Sequence, residues 1–213
     1  LRLLILTGTG KSFCAGADLN WMKAMINYSE KENKKDSEKL FELFETIDNC
    51  PVPVIGKVNG HALGGGVGLV SVCDYVITHD KAKFGFTEVK LGLIPAVISS
   101  FCLNKIDMSQ ARAWFLSGEL FTAQNALSMN LVHEVVEIDK FEDSVDRVID
   151  KFLSAGPNAA RAAKKLLRDI EQKKKSDLKS FCCEQIAKLR VSSEGQEGMS
   201  ALLEKRKAEW VEK

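Results

Sequence analysis

VNGHALGGGVGLVSVCD, residues 58–74, decides how the rest of this chain is read. Its three consecutive glycines, Gly64–Gly66, follow the apolar strand pattern "PVPVIGKV" (51–58) and precede a short apolar helical run. They therefore fall near a helix N-terminus, where free backbone N–H groups and the helix dipole favour negative charge. Lacking Cβ atoms, they let a ligand approach the main chain closely. A tight turn with close helix packing uses the same residues, and this cluster alone does not separate the two.

Upstream lies a second small-residue cluster, ILTGTGKSFCAGADLNWM (5–22). Gly10-Lys11-Ser12 after an apolar strand imitates the end of a nucleotide triphosphate loop. That loop needs glycine five residues before the Gly-Lys pair, where Ile5 stands, and the strand runs straight to Thr7. A dinucleotide fingerprint fails as well: from Gly8 it requires glycine at Phe13, and from Gly64 at Leu69. Both phosphate readings are excluded.

The 213 residues suffice for one sizeable core, or a core with a smaller appendage. With 45% hydrophobic and 28% charged residues the composition is that of an ordinary globular protein, and a net charge of +1 gives no electrostatic case for nucleic acid or an anionic membrane. The lysine-rich stretch 31–39 is interrupted by Glu32, Asp36 and Glu38, so it reads as a solvated face. Six scattered cysteines lack metal-ligand spacing and read as reduced thiols of an intracellular compartment; no metal is expected. There is no run of 18 apolar residues. Leu1 lies inside a strand-like run and is not a natural start, so an N-terminal portion with any targeting signal is expected to precede it. The expected location is cytoplasmic, with the mitochondrial matrix left open by that missing portion.

Strand and helix patterns alternate over the first two-thirds. Residues 1–7 are strand-like, and Asp18 can cap a helix beginning "LNWMKAM". "NYSEKENKKDSEK" is a solvated loop or a helix start, followed by helical spacing in "LFELFETIDN". "DYVITHD" is a further strand, and "AKFGFTEVKLGLIP" mixes a short strand with a loop. From about residue 137 four amphipathic helical patterns follow one another, with Pro157 at a first helical position. The expected division is a core over 1–136 and a helical oligomerisation region over 137–213.

"SFCAGADL" and "NGHALGGG", about fifty residues apart, together resemble the crotonase (enoyl-CoA hydratase/isomerase) superfamily. "FGFTEVKLGLIP", "AQNALSMNLVHEVV" and "EGMSALLEKRKAEW" extend the resemblance over essentially the whole chain, without the family's first strand–helix portion. The resemblance implies an α/β spiral of strand–strand–helix turns and assembly into trimers, often paired into hexamers. It implies further that the backbone N–H groups of Ala17 and Gly65 form an oxyanion hole for the thioester carbonyl of an acyl-CoA. Such donors lower a barrier by ~3–4 kcal/mol each. Cys14, Ala15, Gly16, Ala17, Asp18, Leu19, Gly64 and Gly65 would line the coenzyme A and substrate site. Coenzyme A enters as part of the substrate, and no separate cofactor, nucleic acid or membrane partner is implied.

Glu88 is the acid–base candidate. Phe84, Phe86, Val89 and Leu91 flank it, and apolar surroundings raise a carboxyl pKa towards neutrality. The bland alternative is a surface ion pair with Lys90 or Lys83; the family position favours catalysis. Two departures stand out. Many crotonase-type hydratases carry a second glutamate two residues after the triple glycine, where this chain has Gly68; and "AVISS" replaces the usual glycine-rich stretch after "IP". Both look like a methylglutaconyl-CoA hydratase-like subgroup of branched-chain catabolism. The expected activity is hydration of a 2-enoyl-CoA. A single-carboxylate isomerase, which Gly68 favours, and a non-catalytic RNA- or protein-binding homologue are the alternatives. Gly68→Glu is expected to add ordinary crotonyl-CoA hydration where the neighbouring backbone tolerates the side chain. His61 and His133 read as structural, and Trp21, Met22 and Met25 as core or acyl-pocket lining.

Overall fold

The computed structural model describes residues 1–211. Its residues group into two compact units, one of 5–50 and 54–145, the other of 1–4, 51–53 and 146 onward.

The first unit is a spiral in which each turn gives one strand to each of two sheets. Turn one supplies β1 (Leu4–Thr7), β2 (Ser12–Cys14), α1 (Leu19–Met25) and α2 (Glu30–Asp48). The ambiguous stretch 27–39 is helix from Glu30 onward, because Ser29 and Glu32 form a reciprocal capping box: Ser29 Oγ accepts from the Glu32 amide and Glu32 Oε2 accepts from the Ser29 amide. Turn two supplies β3 (Val54–Val58), β4 (His61–Leu63) and α3 (Gly65–Ser71). Turn three gives β5 (Tyr75–His79), β6 (Lys83–Gly85), a 3₁₀ turn over Thr87–Leu91, α4 (Ala96–Leu103) and α5 (Met108–Ser117). The spiral closes with β7 (Phe121–Thr122), α6 (Ala123–Ser128) and β8 (Glu134–Val136).

The sheets have the orders β1-β3-β5-β8 and β2-β4-β6-β7. β3 and β5 pair in parallel from Ile55↔Tyr75 to Val58↔Thr78, as do β4 and β6, whereas β7 is antiparallel to β6. Parallel strands covered on both faces read as continuous apolar runs, which is why "PVPVIGKV" lacks alternation and Val54, Ile55 and Val58 are fully buried. Asn59 ties successive turns together, accepting from the Gly8 amide and donating to the Gly10 carbonyl, each at 3.0 Å. This fixes the "SFCAGADL" strand beside the "NGHALGGG" strand.

α7 (Phe141–Leu153), α8 (Pro157–Glu171), α9 (Leu178–Arg190) and α10 (Ser193–Leu203) are the four amphipathic patterns, with Pro157 opening α8. Within the second unit the α8 start has no cap of its own. Glu194 of α10 supplies it, accepting from the amides of Asn158 (2.9 Å) and Ala159 (2.7 Å). Among the described residues no helix is long and apolar enough to cross a membrane.

Candidate active site

The site begins where β2 ends. Ser12 starts that strand instead of a helix, so the Gly10-Lys11-Ser12 triplet cannot cradle a phosphate. After Cys14 the chain turns sharply at Gly16, whose φ of 109° strains any L side chain. Asp18 then caps α1, its carboxylate accepting from the amides of Asn20 (2.8 Å) and Trp21 (3.0 Å). Ala17 stands exposed between turn and cap, and its amide donates no hydrogen bond among the described residues. Ala15 and Leu19 are exposed, and Trp21, Met22 and Met25 are half-buried.

The triple glycine divides its work residue by residue. Gly64 adopts φ 53° and ψ −124°, a conformation for glycine, and its amide donates to the Gly85 carbonyl at 2.9 Å. Gly65 opens α3, so its amide has no partner within the helix and donates to none elsewhere among the described residues. Gly66 packs against the other motif: a Cβ there would stand 2.7 Å from the Cys14 carbonyl oxygen. The two clusters thus meet through main chain, with the Ala17 and Gly65 amides both uncommitted.

Glu88 follows β6 in the 3₁₀ turn, which ends at Gly92 in the left-handed conformation. Its carbonyl accepts from the Leu93 amide, which pins the main chain under the side chain. A Cβ at Gly64 would lie 3.3 Å from Glu88 Oε1, so the carboxyl stands against the triple glycine. Oε2 is buried without a hydrogen-bond partner. Burial pushes the Glu88 pKa up from 4.5, opposed by its own backbone amide. The surface ion pair is not formed: Lys90 bridges to Glu119 at 2.5 Å. An unpaired, partly buried carboxyl of raised pKa is the electrostatic signature of a proton-transfer group.

The histidines serve the fold. His61 Nδ1 accepts from the Lys83 amide and His133 Nδ1 from the Val76 amide, each at 3.0 Å. Burial and the Lys105 charge lower the His133 pKa to about 4, leaving the ring neutral. Among the described residues no cluster of His, Cys, Asp or Glu is arranged to hold a metal ion.

Sequence reasoning missed what fills the space at residue 68. A Cβ on Gly68 would collide with Ile98 Cγ2 and stand 2.9 Å from Phe44 Cε1. Ile98, from "AVISS" in α4, and Phe44, from α2, are both essentially fully buried. The two departures from the family pattern are therefore one packing event: residue 68 gives up its side chain and the helix after "IP" presents Ile98. The only sequence signal was their co-occurrence, which does not by itself reveal contact.

The Enoyl-CoA hydratase/isomerase family pattern matches residues 1–213. The chain belongs to that family, within the crotonase superfamily. It is 33% identical to the crotonyl-CoA hydratase of Syntrophomonas wolfei, over all of this chain and 82% of that protein. The short-chain-enoyl-CoA hydratase of Clostridium acetobutylicum is 32% identical over 97% of this chain and 78% of its own length. Pseudomonas aeruginosa AtuE superposes with a TM-score of 0.94 at 32% identity, over 99% of this chain and 82% of AtuE.

Proposed function

We propose that this protein is an enoyl-CoA hydratase that adds water across the C2–C3 double bond of a 2-enoyl-CoA. The observation that carries the reading is the unpaired Glu88 carboxyl standing against the triple glycine. The thioester carbonyl oxygen would sit between the Ala17 and Gly65 amides, which gain most from it when negative charge develops there as the enolate forms. Glu88 would carry the proton to C2. Cys14, Ala15, Gly16, Asp18, Leu19 and Gly64 would flank the coenzyme A moiety, although the Asp18 carboxylate is already committed to capping α1. Gly68 and the "AVISS" stretch, which look like the methylglutaconyl-CoA hydratase-like subgroup, support a branched substrate such as 3-methylglutaconyl-CoA or a relative. Hydratase relatives at about one-third identity support the class of reaction.

A second reading, an isomerase moving one proton between C2 and C4, draws on the same absence of a carboxylate at residue 68. Incubation of the protein with crotonyl-CoA, 3-methylglutaconyl-CoA and a 3-enoyl-CoA, followed by mass spectrometry, separates the two. Hydration adds the mass of water; isomerisation adds none. A protein that gains no water on any 2-enoyl-CoA but moves the double bond of the 3-enoyl-CoA is the isomerase.

Gly65→Pro tests the oxyanion donor. Proline is tolerated at a first helical position; it removes the N–H and adds a ring, whose Cβ would meet Phe44 Cζ at an ordinary 4.0 Å. Turnover should fall by about 10²–10³-fold, with a much smaller change in the urea midpoint; equal losses would make Gly65 a structural turn only. Assembly into a trimer or hexamer through the C-terminal helices is proposed from their apolar exposure, with Leu167 68% and Leu202 78% accessible. Light scattering at micromolar concentration should give three or six times the chain mass, and a monomer alone would reject this.

A further inference from the structure

Thr87 stands immediately before Glu88, and the surroundings of Gly64 show where its hydroxyl lies. Around a Cβ placed at Gly64 the three nearest atoms are Glu88 Oε1 at 3.3 Å, Glu88 Cδ at 3.7 Å and Thr87 Oγ1 at 3.7 Å. One carboxyl oxygen and one hydroxyl therefore converge on the volume that a side chain at residue 64 would occupy. The next peptide unit carries the Gly65 amide, so this volume adjoins one of the two uncommitted donors. Thr87 Oγ1 makes no hydrogen bond among the described residues. Of the two Glu88 oxygens only Oε2 is sealed from solvent without a partner. At Gly68, Ile98 and Phe44 occupy the space that a side chain carrying a second carboxylate would need.

We propose that a water molecule held between Thr87 Oγ1 and Glu88 Oε1 is the nucleophile, and that Thr87 orients it in the absence of a second carboxylate. This rests on the hydratase reading above. A hydroxyl has two acceptor lone pairs, so Thr87 can accept one O–H of the water while Glu88 accepts the other. The water oxygen bonds to C3 as the C2–C3 π pair moves towards the thioester, whose oxygen the two amides hold. One water proton passes to Glu88 and from there to C2, where the returning electron pair binds it. The other stays on the new C3 hydroxyl. Nothing is oxidised or reduced, and Glu88 ends in the state in which it began. A neutral orienting group also leaves the Glu88 titration undisturbed, whereas a second carboxylate close by would raise one of the two pKa values further.

Thr87→Val keeps the shape and removes the hydroxyl; Thr87→Ser keeps the hydroxyl. With the full chain and crotonyl-CoA, or whichever 2-enoyl-CoA the wild type hydrates, Thr87→Val should lose about 10²-fold in kcat, the scale set by misplacing a reacting group. KM and the dissociation constant of butyryl-CoA should stay within about twofold, because Thr87 does not hold the thioester. Thr87→Ser should recover most of the loss. Thr87→Ala, which adds no methyl group, must show the same kcat loss if Thr87→Val fails to fold. Unchanged kcat in the valine or alanine variant, alongside an inactive Glu88→Gln, overturns the role of Thr87 and leaves the hydratase reading standing. Wild-type protein that hydrates no 2-enoyl-CoA removes both.

Discussion

Replacing Glu88 by glutamine is expected to cut turnover by about 10²–10⁴-fold, the share that general acid–base catalysis contributes, while acyl-CoA binding persists. Glutamine preserves the volume beside Gly64 and replaces one carboxyl oxygen by an NH2 group that does not titrate. Stability should move the other way. Burial raises the folded-state pKa of Glu88 above the 4.5 of an exposed glutamate, so the native state holds this proton more tightly than the unfolded chain does. The destabilisation from ionising the carboxyl therefore sets in as pH rises past 4.5 and is complete once pH exceeds the folded value. Glu88→Gln should be at least as stable as wild type near neutrality, with the advantage vanishing in acid below that range. Thermal melts across the acid-to-neutral range read this directly, and the wild-type rate should climb with pH through the raised Glu88 pKa. Full activity in Glu88→Gln on every enoyl-CoA that the wild type converts would remove Glu88 from the mechanism.

Gly68→Glu, the substitution that restores the family's second carboxylate, is expected to damage folding instead of adding hydration. Main chain is not the obstacle: Ile98 Cγ2 and Phe44 Cε1 already occupy the space of the first added carbon. Overpacking by a single methyl group in such a site costs about 1–3 kcal/mol. An ionised carboxylate among apolar side chains adds a desolvation penalty of several kcal/mol. The single variant should therefore accumulate poorly or unfold at markedly lower urea. Gly68→Glu combined with Ile98→Gly removes both Ile98 contacts and should recover part of the loss, leaving Phe44 Cε1 at 2.9 Å as the remaining strain. A Gly68→Glu protein with wild-type stability would show that α4 yields more easily than its burial implies.

Much of this protein was legible from neighbours in sequence. Asp18 capping α1 and Pro157 opening α8 are local events, in which a side chain or a missing N–H acts within four residues. The buried β3 and β5 strands announced themselves as apolar runs, and the four C-terminal helices as amphipathic periods. Less legible was the stretch 27–39, where charged residues suit loop and helix equally until the Ser29–Glu32 capping box is counted. For the candidate site, the two glycine clusters and Glu88 stood out as motifs, and the structure sets Cys14 against Gly66 and Glu88 against Gly64.

By itself, then, the sequence determined the α/β alternation and the family, and singled out Glu88 as the acid–base candidate, because each is carried by residue types at short or fixed spacing. Tertiary structure alone decided that Lys90 turns to Glu119 and leaves Glu88 unpaired, that Thr87 Oγ1 faces the same volume as Glu88 Oε1, and that Ile98 stands where a side chain at residue 68 would go. These depend on which atoms of distant segments share one close-packed volume. Packing at that density leaves no room for both partners of a collision, and no spacing rule along the chain records which one was kept.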